Sequence, residues 1–422
     1  MKILHVSYSD SDGGAARAAY RIHRALVEFG MDSRMRVLHS NTGDARVTAG
    51  ARRPITARLI QKFHLRWLAY ARRGWHTDNP ILHTFGQVGA GLVDELNASD
   101  ADVLNLYWIS NMLSVRDIGR LKKPLIWRLS DMWAFCGGEH YTSDDKGARF
   151  RQGYSTNNRP TFERGPDLNR QTWEAKRRVW AHQHFTIVCP SRWLADCARQ
   201  SALFSDAAVH VILNTLEMEH LWRPIPREAA RVALGLPPRK KLIMMGAAGG
   251  VSDPRKGGDL LRDALAQVAL RQPGEAELMI YGQSNSSSAD TWPYPVHWLG
   301  VVRDDRVLAL AYSAADVMVV PSRQDNSPNT AVEAQACGTP VVAFDIGGLP
   351  DIVTHRETGW LARAFDTADL AEGVSWLLAD DVRHAVIAAA ARKQAVERFA
   401  ESVVAAQYAT LYRDVLERSL QP

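Results

Sequence analysis

Asp325 and Glu333 enclose seven residues, and between them Ser327-Pro328 reads as the start of a helix. Serine is a good N-cap, and proline is tolerated at the first helical position, where its missing N–H costs no hydrogen bond. A helix beginning there aims the backbone amides of Asn329 and Thr330, with the positive end of its dipole, at whatever lies above the loop. A diphosphate is the natural occupant. Glu333, more than one turn further in, could accept two hydrogen bonds from the adjacent hydroxyls of a ribose, and Asp325, ahead of the helix, could accept from a sugar hydroxyl. The bland alternative makes Asp325 a turn cap and Glu333 a solvated helix residue, and the spacing of two acids does not by itself decide.

The elements that must position these residues are legible around them. Residues 316–321 are apolar and β-branched without alternation, the pattern of a strand buried on both faces of a parallel sheet. The helix is expected to run to about Cys337. Gly338 closes it at the position that needs φ > 0, Thr339-Pro340 prevents continuation, and residues 341–344 form the next strand. The same alternation of strand, loop and helix runs through the chain. Strands are expected at 3–7, 33–38, 101–108, 124–129, 185–191 and 209–214, then at 241–246, 276–282 and 296–300. Residues 214–239 carry Pro224, Pro226, Pro237 and Pro238 and read as a domain connection. With 422 residues the chain is too long for one ordinary domain. The expected fold class is α/β, with two doubly wound, Rossmann-like domains.

Composition bounds the function classes. Hydrophobic residues at 46% and charged residues at 23% are ordinary globular values, which excludes disordered and fibrous chains. No apolar run reaches membrane-span length and the sequence opens directly on a strand, so the expected compartment is the cytoplasm. Cys136, Cys189, Cys197 and Cys337 lie far apart with no C-x-x-C pair, indicating small core residues rather than a disulfide framework or zinc site. The net charge of +5 permits anionic partners without choosing one, and no nucleic-acid motif accompanies it. Residues 52–75 mix Arg and Lys with Leu, Ile, Phe and Trp at helical spacing. They read either as a packed helix with a solvated basic face or as a peripheral contact with the anionic inner face of a membrane. Asp10-Ser11-Asp12 formally matches a metal-binding D-x-D and is discounted, because it follows only nine residues of chain. No metal is expected. Residues 143–167 are polar with little apolar periodicity and read as a long loop: a lid, a binding loop or a disordered segment.

The run PSRQDNSPNTAVEAQACGTPVVAFDIGGLPDIV resembles the acid-x7-Glu signature of retaining glycosyltransferases of family four, which have the GT-B fold. The variant with Asp325 as first acid is similar to an exopolysaccharide-type subset. The resemblance covers most of the chain and is strongest over 239–361. It implies an acceptor-side domain over 1–214, a nucleotide-sugar domain over 215–399, a last helix (400–420) packed back on the first domain, and a central cleft between the two. Lys256, before Gly257, resembles the element that contacts the donor diphosphate. Ala247 stands where an arginine is common, and Arg255 is the candidate substitute. Gly13 and Gly14 look like the first loop that nears the donor phosphates. Gly300 and Val301 resemble the loop against the nucleotide base, with Gly282 lining the same pocket. Ser130-Asp-Met-Trp-Ala-Phe-Cys-Gly-Gly-Glu-His-Tyr141 resembles an acceptor-side segment that usually begins with histidine. It makes Asp131 the candidate carboxylate near the reacting centre, or a local cap, with Ser130 and His140 beside it. Asp131, Asp325 and Lys256 are thus the candidate catalytic set. The reaction implied is sugar transfer from a nucleoside diphosphate sugar to a glycan or lipid-linked acceptor, with retention, in cell-surface polysaccharide or glycoconjugate synthesis. A nucleotide-sugar epimerase of the same fold and a catalytically silent nucleotide-sugar-binding subunit of a polysaccharide assembly complex remain alternatives.

Overall fold

The computed structural model describes residues 1–50, 66, 73–246, 253–271, 274–283 and 291–419. Among them, two wholly parallel sheets carry the architecture. The first comprises β1 (Lys2–Ser9), β2 (Asp32–His39), β3 (Val47–Thr48), β4 (Val103–Leu106), β5 (Leu125–Arg128), β6 (Phe185–Cys189) and β7 (Ala208–Val211). Their order is β3-β2-β1-β4-β5-β6-β7. The second comprises β8 (Lys241–Gly246), β9 (Ala276–Tyr281), β10 (Val296–Gly300), β11 (Val317–Val320), β12 (Val341–Phe344) and β13 (Gly359–Ala362), in the order β10-β9-β8-β11-β12-β13. Parallel pairing requires crossover helices, which cover both faces, so inner strands are apolar throughout rather than alternating. Accordingly β4, β5, β6, β11 and β12 are buried at every residue.

Each sheet reverses its winding between two neighbouring strands, β1 and β4 in the first and β8 and β11 in the second. Loops leaving the carboxyl ends of those strands splay apart and open a crevice, the usual ligand position in doubly wound sheets. This accounts for where the chemistry-bearing residues fall. Gly13 follows β1 and Trp108 follows β4, while Lys256 follows β8 and Asp325 follows β11.

The chain divides into two compact units, Met1–Ile212 with Ala405–Pro422, and Leu213–Val404. The helix Glu401–Ser419 therefore begins in the second unit and ends in the first. There the Tyr412 hydroxyl accepts a 2.7 Å hydrogen bond from Asn105 Nδ2 on β4. All four cysteines are buried and free.

Two expectations need correction. Residues 143–167 form the expected long loop, but its disordered alternative fails. They contain a helical turn, Arg149–Gln152, whose Phe150 is fully buried and whose Arg149 pairs with Asp167 at 2.7 Å. The segment is held by a buried polar network instead of an apolar stripe, which is why no hydrophobic period announced it. Second, Ser327 does not cap the helix that carries Glu333. That helix is Asn329–Ala336 with Pro328 at the N-cap and no side-chain cap bond. Residues 52–65 and 67–72, most of the basic aromatic segment, and Ala247 lie outside the described residues.

Candidate functional site

In the second unit Arg255, Lys256 and Asp325 are drawn together. Asp253 accepts from the Arg255 amide at 2.9 Å and starts a tight turn, Pro254–Lys256, closed by Gly257 at φ 68°. A Cβ on Gly257 would sit 2.0 Å from the Pro321 carbonyl oxygen, so glycine is required both for the left-handed conformation and for docking this turn against the end of β11. The Arg323 amide donates to the Arg255 carbonyl at 2.8 Å, and the Arg323 guanidinium grips both Asp259 oxygens at 2.7 and 2.5 Å. These ties bring Lys256 Nζ to 2.6 Å from Asp325 Oδ2, which also accepts from Ser322 Oγ at 3.2 Å.

Asp325 is 6% exposed. Burial acts to raise its carboxyl pKa, but the Lys256 charge, then Arg255, and hydrogen bonds from Lys256 and Ser322 outweigh it and hold the group below the ordinary carboxylate range. Its backbone is fixed from the other side. Gly348 N donates to the Asp325 carbonyl at 3.0 Å, and Gly347, at φ 55°, would place a Cβ 2.1 Å from that oxygen.

The helix behind Asp325 presents Asn329 and Thr330 as its first residues, and the positive end of its dipole lies there. Asn214 steadies this end, donating to the Ser327 carbonyl at 3.2 Å and to Asn329 Oδ1 at 2.8 Å. Glu333, on the same helix, is 3% exposed and its Oε2 accepts from the Tyr312 hydroxyl at 2.9 Å. The solvated-helix alternative for Glu333 therefore fails. Gly282, at φ 100°, donates its N–H to the Gly300 carbonyl at 2.8 Å, joining the ends of β9 and β10. Gly300 itself has φ 67°, and Val301 beyond it is 60% exposed. Sequence reasoning missed Tyr281, Tyr312 and Asn214. Nothing local marks them: a tyrosine at a strand end or in an amphipathic helix reads as core, and their partners are far away along the chain.

In the first unit Asp131 Oδ2 lies 2.6 Å from His140 Nδ1, while Oδ1 accepts from the Trp133 amide at 3.0 Å. Asp131 thus caps a local turn, as one of its two sequence readings has it, and also hydrogen-bonds the His140 ring. Thr84 Oγ1 meets His140 Nε2 at 2.8 Å, and the imidazole is 3% exposed. Trp108, Ser110, Ser130, Asp131, Trp133 and His140 line one small cavity. The loop that follows Asp131 is anchored by Lys176, fully buried, whose ammonium donates to the carbonyls of Trp133, Cys136 (3.0 Å) and Gly137 (2.8 Å). Three carbonyl acceptors require three N–H groups, so the geometry favours the ammonium although burial pulls its pKa down to about 7. Burial likewise pushes Glu139 up to about 7; its carboxylate accepts from the Tyr154 hydroxyl at 3.2 Å.

Gly13, at φ 86°, is the N-cap of the helix Gly14–Glu28, with open space where a Cβ would stand, so its conformation alone calls for glycine. Asp10 is consumed structurally, accepting from Ser40, from Asn41 and from the Thr42 amide and hydroxyl. No group of three or more His, Cys, Asp or Glu side chains suited to a metal occurs among the described residues.

Residues 239–380 match the family model described as glycosyl transferases group 1. A D-inositol 3-phosphate glycosyltransferase of Catenulispora acidiphila is 35% identical over 210 residues, which are 46% of this chain and 48% of that protein. The chain thus spans about half the length of such relatives. Among solved structures, sucrose-phosphate synthase of Thermosynechococcus elongatus superposes over 99% of this chain and all of its own, with TM-score 0.65 at 18% identity. HepE of Anabaena, solved with UDP-glucose, does so over 98% of this chain and all of its own, with TM-score 0.66 at 18% identity. At such identities the superpositions establish the fold, two parallel-sheet Rossmann-like domains as in GT-B glycosyltransferases. No helix among the described residues is long and apolar enough to cross a membrane.

Proposed function

We propose that this chain is a glycosyltransferase of the group 1, GT-B type that moves a sugar from a nucleoside diphosphate sugar to a hydroxyl of a glycan or lipid-linked acceptor, with retention and without a metal, in the synthesis of a cell-surface polysaccharide or glycoconjugate. The observation that carries this reading is the meeting of Lys256, Asp325 and the Asn329 helix terminus inside the region that matches the family model. The relatives named for inositol phosphate and the solved neighbour holding UDP-glucose support the same chemistry, a nucleotide sugar and a polyol hydroxyl.

In this reading the nucleotide ribose hydrogen-bonds Glu333, and the base lies along Gly282, Gly300 and Val301. As the bond from the anomeric carbon to the diphosphate lengthens, negative charge grows on the leaving oxygen. The Lys256 ammonium and the amides of Asn329 and Thr330 stabilise that charge, with Arg255 adding to the local field. Asp325, already fixed as a carboxylate by Lys256, takes a hydroxyl of the donor sugar. Asp131, held by His140, orients the acceptor hydroxyl beside Ser130. The hydroxyl proton passes to the departing phosphate oxygen on the same face, so no protein nucleophile is needed and the anomeric configuration is retained.

The test is calorimetric titration with UDP-, GDP- and ADP-sugars, followed by proton NMR of the product formed with a panel of glycan acceptors. Glu333→Ala is expected to remove measurable nucleotide binding and turnover. Turnover surviving that change would refute the site assignment, an inverted product would refute retention, and a free epimerised sugar nucleotide would favour an epimerase.

A further inference from the structure

Behind Glu333 lies a pair of tyrosines that no family signature marks. β9 ends at Tyr281, whose ring crosses the end of β8 directly over Gly246. A Cβ on Gly246 would meet ring atoms of Tyr281 at 1.8 to 2.3 Å, so the strand can carry no side chain there. That close approach brings the Tyr281 hydroxyl to 2.6 Å from the hydroxyl of Tyr312, near the end of the helix Asp305–Ala314. The Tyr312 hydroxyl in turn donates to Glu333 Oε2 at 2.9 Å. A phenol has one proton. Since that of Tyr312 goes to the carboxylate, Tyr281 must be the donor of the first bond, and the two hydroxyls form a directed chain ending on Glu333. Tyr312 cannot easily shift. It is fully buried, its ring packs against those of Trp222 and Tyr281, and its carbonyl accepts from Thr339 Oγ1 at 2.6 Å.

We propose that Tyr312, supported by Tyr281, is a positioning residue that fixes the rotamer of Glu333 for recognition of the ribose 2′,3′-diol. This rests on the nucleotide-binding reading of Glu333 given above. Two consecutive hydrogen bonds in a dry environment polarise one another, and a carboxylate held from behind loses little orientational freedom when the diol arrives. Without the Tyr312 hydroxyl the buried carboxylate would lose this charge-assisted hydrogen bond and could turn away from the diol. The chain thus predicts selectivity for a ribonucleotide over a 2′-deoxyribonucleotide, set by two residues that act through Glu333.

The experiment uses the intact chain with UDP, GDP and ADP, and compares whichever binds with its 2′-deoxy counterpart. Wild-type protein should bind the ribonucleotide more tightly. Tyr312→Phe, which removes one oxygen, should weaken ribonucleotide binding about tenfold while changing 2′-deoxy binding little, so that discrimination collapses. Tyr281→Phe should show the same pattern at smaller size, and it stands in if Tyr312→Phe does not fold. Equal losses for both nucleotides, or unchanged discrimination in a folded variant, would overturn the proposal and leave the transferase reading intact. Failure of wild-type protein to bind any nucleoside diphosphate would overturn both.

Discussion

Asp325 differs from an ordinary surface carboxylate in being charged because of its neighbours and in spite of its burial. Its folded pKa is depressed, so its contribution to stability is present above the unfolded value near 3.8 and is lost as pH falls through the lower folded value. Around neutrality the carboxylate and the Lys256 ammonium therefore stay paired, and titration of Asp325 should leave no inflection in a pH–rate profile above about pH 4. Asp325→Asn keeps the shape and the bond from Ser322 but removes the charge that holds Lys256. If Asp325 orients the donor sugar, kcat should fall about a hundredfold or more while Kd for the sugar-free nucleoside diphosphate changes by only about threefold, because the diphosphate still meets Lys256 and the helix amides. Steady-state kinetics alongside calorimetry check this. A variant that lost nucleotide affinity and kept kcat would move Asp325 from the sugar to the phosphate.

The tight turn Pro254–Lys256 and the loop after β11 act as one piece, joined by the Arg323 amide to the Arg255 carbonyl and by Gly257 lying against Pro321. Gly257→Ala adds a methyl group 2.0 Å from a carbonyl oxygen in a left-handed conformation, a strain of about 1–3 kcal/mol that the turn can relieve only by lifting off β11. Lys256 would move with it, and nucleoside diphosphate affinity is expected to fall at least tenfold with the melting temperature lowered by only a few degrees. An alanine variant with unchanged affinity would show that the turn does not need its contact with β11. At this scale the sequence was informative where elements are local. Gly338 takes φ 77° at the close of its helix, β12 spans 341–344, and the winding of both sheets follows from their apolar runs. It was silent where a contact joins distant segments. Arg149, Tyr154 and Glu163 pack residues 143–167 through polar groups, and a polar network has no period to read. The helix at Asn329 was placed one residue early because Ser-Pro fits both an N-cap with its N1 residue and the pair that precedes one. For Glu333, spacing located a carboxylate beside a phosphate-type loop, but its burial and its tyrosine chain depend on Gly246 and Tyr281, about fifty residues or more away.

The division of the chain into two units separates two kinds of experiment. The helix Glu401–Ser419 is continuous, yet from Ala405 onward it belongs with Met1–Ile212, and its Tyr408 and Tyr412 are fully buried there. Tyr412→Ala removes a large ring and the acceptor of the Asn105 amide, a loss of about 3–5 kcal/mol in the first unit. The donor nucleotide contacts proposed for Lys256, Glu333 and Gly300 all lie in Leu213–Val404. A ligand stabilises what it binds, by about 2.7 kcal/mol at a concentration of a hundred times Kd. Hydrogen exchange followed peptide by peptide should therefore show nucleoside diphosphate protecting β8, β11 and the Asn329 helix, while Tyr412→Ala deprotects β4 and β5 and leaves nucleotide affinity within about twofold of wild type. If Tyr412→Ala instead weakened the nucleotide as much as Glu333→Ala, the second unit would not hold the donor by itself.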